Sequence, residues 1–270
     1  MKMFKKVFVI VAAISSLSLT GCSKNEDINN SNESIAEVEA LLKTANVAFT
    51  ENFRDSLCLT GFALEDLNEF ELDALYQMRE EELMAHDIYF QLYELYQYRV
   101  FDQIAKSEAK HAEAVKSLLI RYELTDPAVN HEMGLFNNST IQELYNTLMN
   151  KARLSGVDAL TVGATIEDVD IFDLKNLLTN GVDNADITYV FQNLLKGSEN
   201  HMRAFVKVLG MQGSEYTPQY ITQDEFDLIL SSSGKGKGNG NGNGNGNGQG
   251  NGNGNGQGNG TGTGTGGGNC

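Results

Sequence analysis

The chain has 270 residues, with 20 Lys and Arg against 36 Asp and Glu and a formal charge of −16. The five lysines of residues 1–22 and 234–270 have no acid beside them, which leaves −21 on the body between. Such a body argues against a nucleic-acid surface, which needs clustered basic charge, and it is large enough for one domain with a core of its own.

The chain begins with Met1-Lys2-Met3-Phe4-Lys5-Lys6, continues in an apolar run from Val7 to Leu19, and reaches Leu19-Thr20-Gly21-Cys22. A basic start before a short apolar run is an export signal, too short to span a bilayer as a lasting anchor. Leu-Thr-Gly-Cys resembles a bacterial lipobox, so residues 1–21 are expected to be a leader and Cys22 the lipidated first residue of the mature protein. The expected location is the cell envelope, on a bacterial membrane, with the outer membrane or cell surface as options. Residues 22–35 read as a polar tether. Cys58 and Cys270 make no disulfide framework.

From about 36 to 232 the apolar residues recur at helical spacing, and strand-like alternation is scarce. The first long helix, about Leu72 to Tyr96, aligns Leu75, Met78, Glu82, Tyr89, Tyr93 and Tyr96. The second, Phe101 to Tyr122, aligns Ile104, Glu108, His111, Val115, Leu118 and Tyr122. A connection of more than thirty residues follows. It holds a shorter helix, about Thr140 to Ala152, with Thr140 and Glu143 at capping-box spacing. The third long helix, about Ala159 to Leu178, aligns Leu160, Ala164, Glu167, Ile171, Leu174 and Leu178. The fourth, Asp186 to Leu209, aligns Ile187, Val190, Leu194, Ser198, His201, Phe205 and Val208. Two helix pairs joined by a long crossover predict an all-α, ferritin-like four-helix bundle whose crossover carries a short extra helix. From 233 onward, Gly and Asn repeats hold 19 of the 28 glycines and no apolar residue before Cys270, so this tail is expected to be disordered.

Each apolar stripe is interrupted near its middle. Buried carboxylates are costly unless paired or bound to a cation, so Glu82, Glu108 and Glu167 need a partner. Glu108 and His111 stand at i, i+3 on one face of the second helix. Carboxylate-bridged dinuclear bundles draw a Glu from each of two helices and a Glu-x-x-His from each of the other two. Glu82, Glu108, His111, Glu167 and His201 supply five of those six ligands in the expected order. Ser198 stands where the sixth belongs, and Glu199 beside it is rotated about 100° off the shared face. Ser198, Tyr89, His86 and Asp170 are candidates for places beside the ligands or as alternative ligands. Asp168 is a further substitute, although surface positions or places beside the site suit the two aspartates better. Glu80, Glu81 and Glu113 are expected on solvated faces, and His131 in a loop. The stripes hold no Lys or Arg, so a metal-free bundle would need Arg79, Lys110 or Arg203 to turn inward.

Several blocks together resemble one bacterial family. They are Met78-Arg79-Glu80-Glu81-Glu82 with Asp87-Ile88-Tyr89, Phe101 to His111 with its Ile104-Ala105-Lys106-Ser107-Glu108 core, Gly163 to Leu174, and Gly197 to Phe205. The family is domain of unknown function 2202, and the resemblance spans about Leu57 to Leu230. It implies a ferritin-like bundle with a dinuclear carboxylate site but no settled activity. The spacing of Glu82 and Tyr89 also resembles rubrerythrin-type bundles, which favours Glu82 over Glu80 or Glu81 as the ligand. Two departures are His86, where the family more often has Arg, and Glu199, where a basic residue is common.

The expected cofactor is two divalent metal ions, iron first, with manganese or zinc as alternatives. Oxidation of Fe(II), or reduction of peroxide or O2, is the activity such a centre suggests. A non-catalytic metal-binding or sensing module and a metal-free helical scaffold are the alternatives. The expected partners are a membrane through the N-terminal lipid, an unidentified electron donor and a second copy in a homodimer, and no nucleic acid.

Overall fold

The computed structural model describes residues 38–40 and 59–232. The leader, Cys22, the tether, Cys58, the Gly/Asn tail and Cys270 lie outside the described residues. Those described are helical: α1 (Glu69–Tyr96), α2 (Arg99–Arg121), α3 (Ser139–Ala152), α4 (Gly156–Asn180), α5 (Ala185–Met211) and α6 (Gln223–Ser231), preceded by a 3-10 turn at Leu59–Gly61. No strand is formed among them, so the all-α expectation holds.

Caps set the helix ends. Asn68 accepts from the Glu71 backbone while the Glu71 side chain reaches back to the Asn68 backbone, a capping box that starts α1 three residues earlier than apolar spacing indicates. Gln97 adopts a left-handed conformation at φ 57° and turns the chain directly into α2. Expectation failed at α3. Its cap is Asn138, whose side chain accepts from Thr140 N, and not a box from Thr140 to Glu143. An Asn two residues upstream satisfies an orphan N–H first, which leaves Thr140 inside the helix. A capping box between Thr222 and Glu225 starts α6, a helix that the apolar pattern does not announce.

Long-range hydrogen bonds fix the helix directions. The start of α1 meets the turn between α4 and α5, where Glu71 Oε1 accepts from Asp183 N and Asn184 N at 3.1 and 2.9 Å. The end of α2 lies there too, since Arg121 Nε donates to Asp186 at 2.7 Å. At the other end Tyr96 Oη donates to the carbonyl of Ala152, just before α4. Thus α1 and α5 run one way and α2 and α4 the other. The crossover, residues 122–155, returns the chain along the length of the bundle before α4 starts.

Side chains of α1 hold this crossover down. Arg79 makes a forked ion pair with Asp126 at 3.0–3.2 Å, and Glu80 accepts from Asn137 N and Asn138 N at 2.8 Å each. Asp87 accepts from Gly134 N at 2.7 Å and faces His131 Nε2 at 2.9 Å and His86 Nδ1 at 3.0 Å. Asp168 docks the other irregular segment, accepting from the Tyr216 hydroxyl and the backbone N–H groups of Gln219, Tyr220 and Ile221. Glu80 is therefore a buried anchor, not the solvated group expected, and Asp168 anchors a loop where a surface position or a place beside the site was expected. Backbone donors of a folded loop need acceptors as much as any helix end does.

Buried apolar side chains form two clusters. One holds Met84, Ile88, Phe101, Ile104, Leu160 and Phe205, and the other Leu75, Met78, Val115, Leu118, Leu174 and Phe191. Between them, at mid-height, the four long helices contribute polar side chains instead.

Candidate metal centre

Glu82 on α1, Glu108 and His111 on α2, Glu167 on α4 and His201 on α5 converge in that layer. Each is at most 1% exposed. Glu108 is the hinge of the arrangement. Its Oε2 lies 2.6 Å from Nδ1 of His111, and its Oε1 lies 2.8 Å from Nδ1 of His201. Glu82 Oε2 completes the first side at 3.2 Å from His111 Nδ1, and Glu167 Oε2 the second at 3.5 Å from His201 Nδ1. Two groups that could hold a metal ion result, Glu82/Glu108/His111 and Glu108/Glu167/His201, and within each the ligand atoms lie within 4.8 Å of one another.

Those contacts are close in distance but largely off the N–H axis. Both oxygens of Glu108, Oε2 of Glu167 and both ring nitrogens of His201 lack an aligned hydrogen bond among the described residues. Buried polar atoms are normally satisfied. Unpartnered carboxylate oxygens and imidazole nitrogens within 4.8 Å of one another are what a cation satisfies, so the residues fit a metal.

Electrostatics without an ion point the same way. Burial would push the His111 imidazole down, but Glu108 and Glu82 outweigh it and hold its pKa at about 10. His201 is opposed by burial in the same manner, and Glu108 and Glu167 raise it to about 9. Burial is also the largest effect on Glu82, which rises to about 8 despite His111. On Glu108 burial is overcome by both imidazoles, which hold this carboxyl well below the usual range. The two imidazoles and the Glu108 carboxylate thus favour one another's charged forms, the same electrostatic preference that would draw a cation to these carboxylates. Arg79 and Arg203 turn elsewhere, to Asp126 and Ala112 O, and to Ile229 O and Asn200.

Local packing brings the ligands together. A methyl group at Gly197 would lie 2.7 Å from Cε1 and Nε2 of His111, so only glycine lets that ring rest on the α5 backbone. Tyr89 Oη donates to Glu167 Oε1 at 2.6 Å, with the Gly163 carbonyl 3.2 Å away. This tyrosine belongs to the centre as an orienting group.

The other candidates divide. Ser198 is buried on the ligand face, but its hydroxyl donates back to Leu194 O at 3.2 Å and fills no sixth position. Asp170 is 1% exposed and stands beside the centre, not at the surface; the charges around it are those of Glu82, Glu167, Glu108 and Glu81. Glu81 is fully buried, contrary to the solvated face expected of it, whereas Glu113 is exposed as expected. A glutamate run on an amphipathic helix does not reveal which members turn inward. His86 and His131 sit on either side of Asp87, away from the five.

Such an all-α bundle, with a buried layer of carboxylates and imidazoles shared among four helices, defines a helical protein with a candidate metal centre. Residues 71–233 match the family described as uncharacterized protein domain DUF2202, and the chain belongs to that family. The uncharacterized protein MJ0754 of Methanocaldococcus jannaschii is 50% identical over 175 residues, which are 65% of this chain and 94% of that protein. The crystal structure of hypothetical protein MJ0754 from Methanococcus jannaschii matches with a TM-score of 0.63 and 48% identity, covering 64% of this chain and 98% of that one. About a third of this chain therefore lies outside these matches.

Proposed function

We propose that this is an exported, lipid-anchored protein that holds two divalent ions between its helices and carries out redox chemistry on Fe(II). The observation that carries the reading is the position of Glu108, whose two oxygens face His111 and His201 at 2.6 and 2.8 Å with Glu82 and Glu167 outside them. Two ions would be held there, one by Glu82, Glu108 and His111 and the other by Glu108, Glu167 and His201. A mixed oxygen and imidazole donor set suits iron or manganese, and zinc competes by availability.

Two bound Fe(II) ions would supply the two electrons, with two protons taken up, that convert O2 to hydrogen peroxide or hydrogen peroxide to two waters, leaving two Fe(III). The chain's own groups do the rest. Glu108, His111 and His201 would hold the ions, and Tyr89 orients Glu167. Ser198 in place of a sixth carboxylate would leave one ion with fewer protein ligands. Burial of all five ligands excludes bulk water.

Membrane attachment rests on Cys22 and the leader before it. No helix among the described residues is long and apolar enough to cross a membrane. Loading the purified chain anaerobically with Fe(II), then counting bound and oxidised iron after O2 or peroxide, tests the function. Two irons per chain with rapid oxidation support it. Binding without oxidation leaves a storage or sensing module, and absence of iron, manganese and zinc binding leaves a scaffold.

A further inference from the structure

The ring of Tyr89 begins a series of aromatic contacts that leads away from the centre. Its centroid lies 6.2 Å from that of Phe101 with the planes 25° apart, and Phe101 lies 6.2 Å from Tyr98 at 11°. Tyr98 in turn lies 5.9 Å from Tyr96 at 29°. All three pairs are stacked, within the separation of about 4.5–7 Å that aromatic pairs prefer. Tyr89 and Phe101 are fully buried, whereas Tyr96 and Tyr98 are half-buried where α1 turns into α2. The Tyr96 hydroxyl bonds the Ala152 carbonyl there, and the Tyr98 ring covers Gly156.

The series thus starts at a hydroxyl 2.6 Å from Oε1 of Glu167, a residue of the centre, and ends at two phenols that reach solvent. A phenol gives up an electron when its proton has an acceptor within hydrogen-bond reach, and Tyr89 has one in Glu167. Phe101 holds no charge itself, but its ring keeps the two phenols in continuous π contact. Other tyrosines lean elsewhere: Tyr145, Tyr216 and Tyr220 pack on Phe136, Phe226 and Phe172.

We propose that Tyr89, Phe101, Tyr98 and Tyr96 carry single electrons from the protein surface to the dinuclear centre, a role that rests on the redox reading above. Reduction of hydrogen peroxide to two waters takes two electrons, and two protons from solvent. Where one Fe(II) is at hand it supplies one electron and becomes Fe(III). Tyr89 gives the other and becomes a neutral radical, its proton passing to Glu167. Tyr98 or Tyr96 then returns an electron to Tyr89 through Phe101, Glu167 returns the proton, and the outer phenol releases its own proton to water. The radical ends at the surface, within reach of a one-electron reductant in solution such as a thiol or ascorbate.

The full chain, loaded anaerobically with one Fe(II) and given one equivalent of hydrogen peroxide, would be frozen for electron paramagnetic resonance. A parallel sample with a nitroso spin trap would be mapped by peptide mass spectrometry. A tyrosyl signal is expected in the wild type, with the trap on Tyr96 or Tyr98 several-fold above Tyr220, which is also half-buried but outside the series. Phe101→Leu is expected to remove the trap from Tyr96 and Tyr98 while the tyrosyl signal persists at Tyr89. Should circular dichroism show that this variant does not fold, Tyr96→Phe/Tyr98→Phe takes its place, with the signal expected to persist and trapping to be lost at the surface. Oxidised iron without a tyrosyl signal, or trap spread evenly over Tyr96, Tyr98 and Tyr220, overturns the relay and leaves the redox reading standing. Iron that neither binds nor oxidises overturns both.

Discussion

Glu108 Oε1 lies 2.8 Å from Nδ1 of His201, a contact that ties the middle of α2 to the middle of α5 through the centre of the bundle. The same carboxylate holds His111 with its other oxygen. Removing its charge strands two buried imidazolium groups. Glu108→Gln is therefore expected to lower metal affinity at both positions by at least a hundredfold, read by competition with a chelator. It also destabilises the metal-free fold by about 3–5 kcal/mol, because breaking a buried pair leaves charge uncompensated.

Gly197 tests the packing of His111. A methyl group there would lie 2.7 Å from the ring, so Gly197→Ala must move either the imidazole or α5. The expected cost is about 1–3 kcal/mol, with a larger proportional loss of bound metal than of stability. Gly210, near the end of the same helix, has nothing within 4 Å of where a methyl group would sit. There the alanine substitution is expected to stabilise by about 0.5–1 kcal/mol, which urea denaturation of both variants would separate.

Stability without metal should fall as pH rises. The folded-state values of His111, His201 and Glu82 are raised to about 10, 9 and 8 from ordinary values of 6.5, 6.5 and 4.5. A raised group gives stability that is complete below its unfolded value and is lost as pH climbs through the folded one. Glu82 begins to lose its share above 4.5, the histidines theirs above 6.5, and the loss is complete near 10. Melting temperature measured from about pH 6 to 10 should decline for the metal-free protein. In the metal-loaded protein, where ions replace those protons, the decline should be much shallower. Parallel curves for the two forms would contradict the site.

Tyr89→Phe removes the hydroxyl that donates to Glu167 and little else. A fold cost of about 1 kcal/mol is expected. Metal affinity on the Glu167 side should drop by roughly ten- to a hundredfold, as when an orienting hydrogen bond to a ligand is lost. Stepwise titration of the metal would show one weakened ion and one unchanged.

Asp168→Asn should free residues 216–221 from α4. Four donors converge on its two oxygens, and hydrogen bonds to a charged group contribute about 1.5–3 kcal/mol each before losses are shared. Faster proteolytic cleavage between α5 and α6, with the centre's metal retained, is the expected result.

Much of the architecture was legible in the chain. Leu75, Met78, Ile104, Val115, Leu160, Leu174, Ile187 and Phe205 repeat at helical spacing, and each is buried where its stripe indicates. Glu82, Glu108, His111, Glu167 and His201 interrupt those stripes at their middles and meet in one layer. What pattern could not assign was the fate of groups off the stripes. Glu80 and Glu81 read as solvated, and Asp168 and Asp170 as surface groups or neighbours of the site, because an acid beside a stripe usually faces water; yet all four are buried, Glu80 under the crossover and Asp168 under the segment before α6. The anchors Arg79, Glu80 and Asp87 serve loop backbone whose path has no period to read. The role of Gly197 was equally hidden, since it exists only against a ring from another helix.

Local pattern was enough to place the helices from α1 to α5 in order and to pick out the five buried residues that converge in the candidate centre, because helical periodicity is local and an acid inside an apolar stripe contradicts it visibly. Only the tertiary structure decided that Glu108 stands between both histidines, that Ser198 turns away, and that Glu81 and Asp170 are buried. Those facts depend on distances between residues far apart in the chain and on which surfaces the irregular segments cover, and no local pattern encodes either.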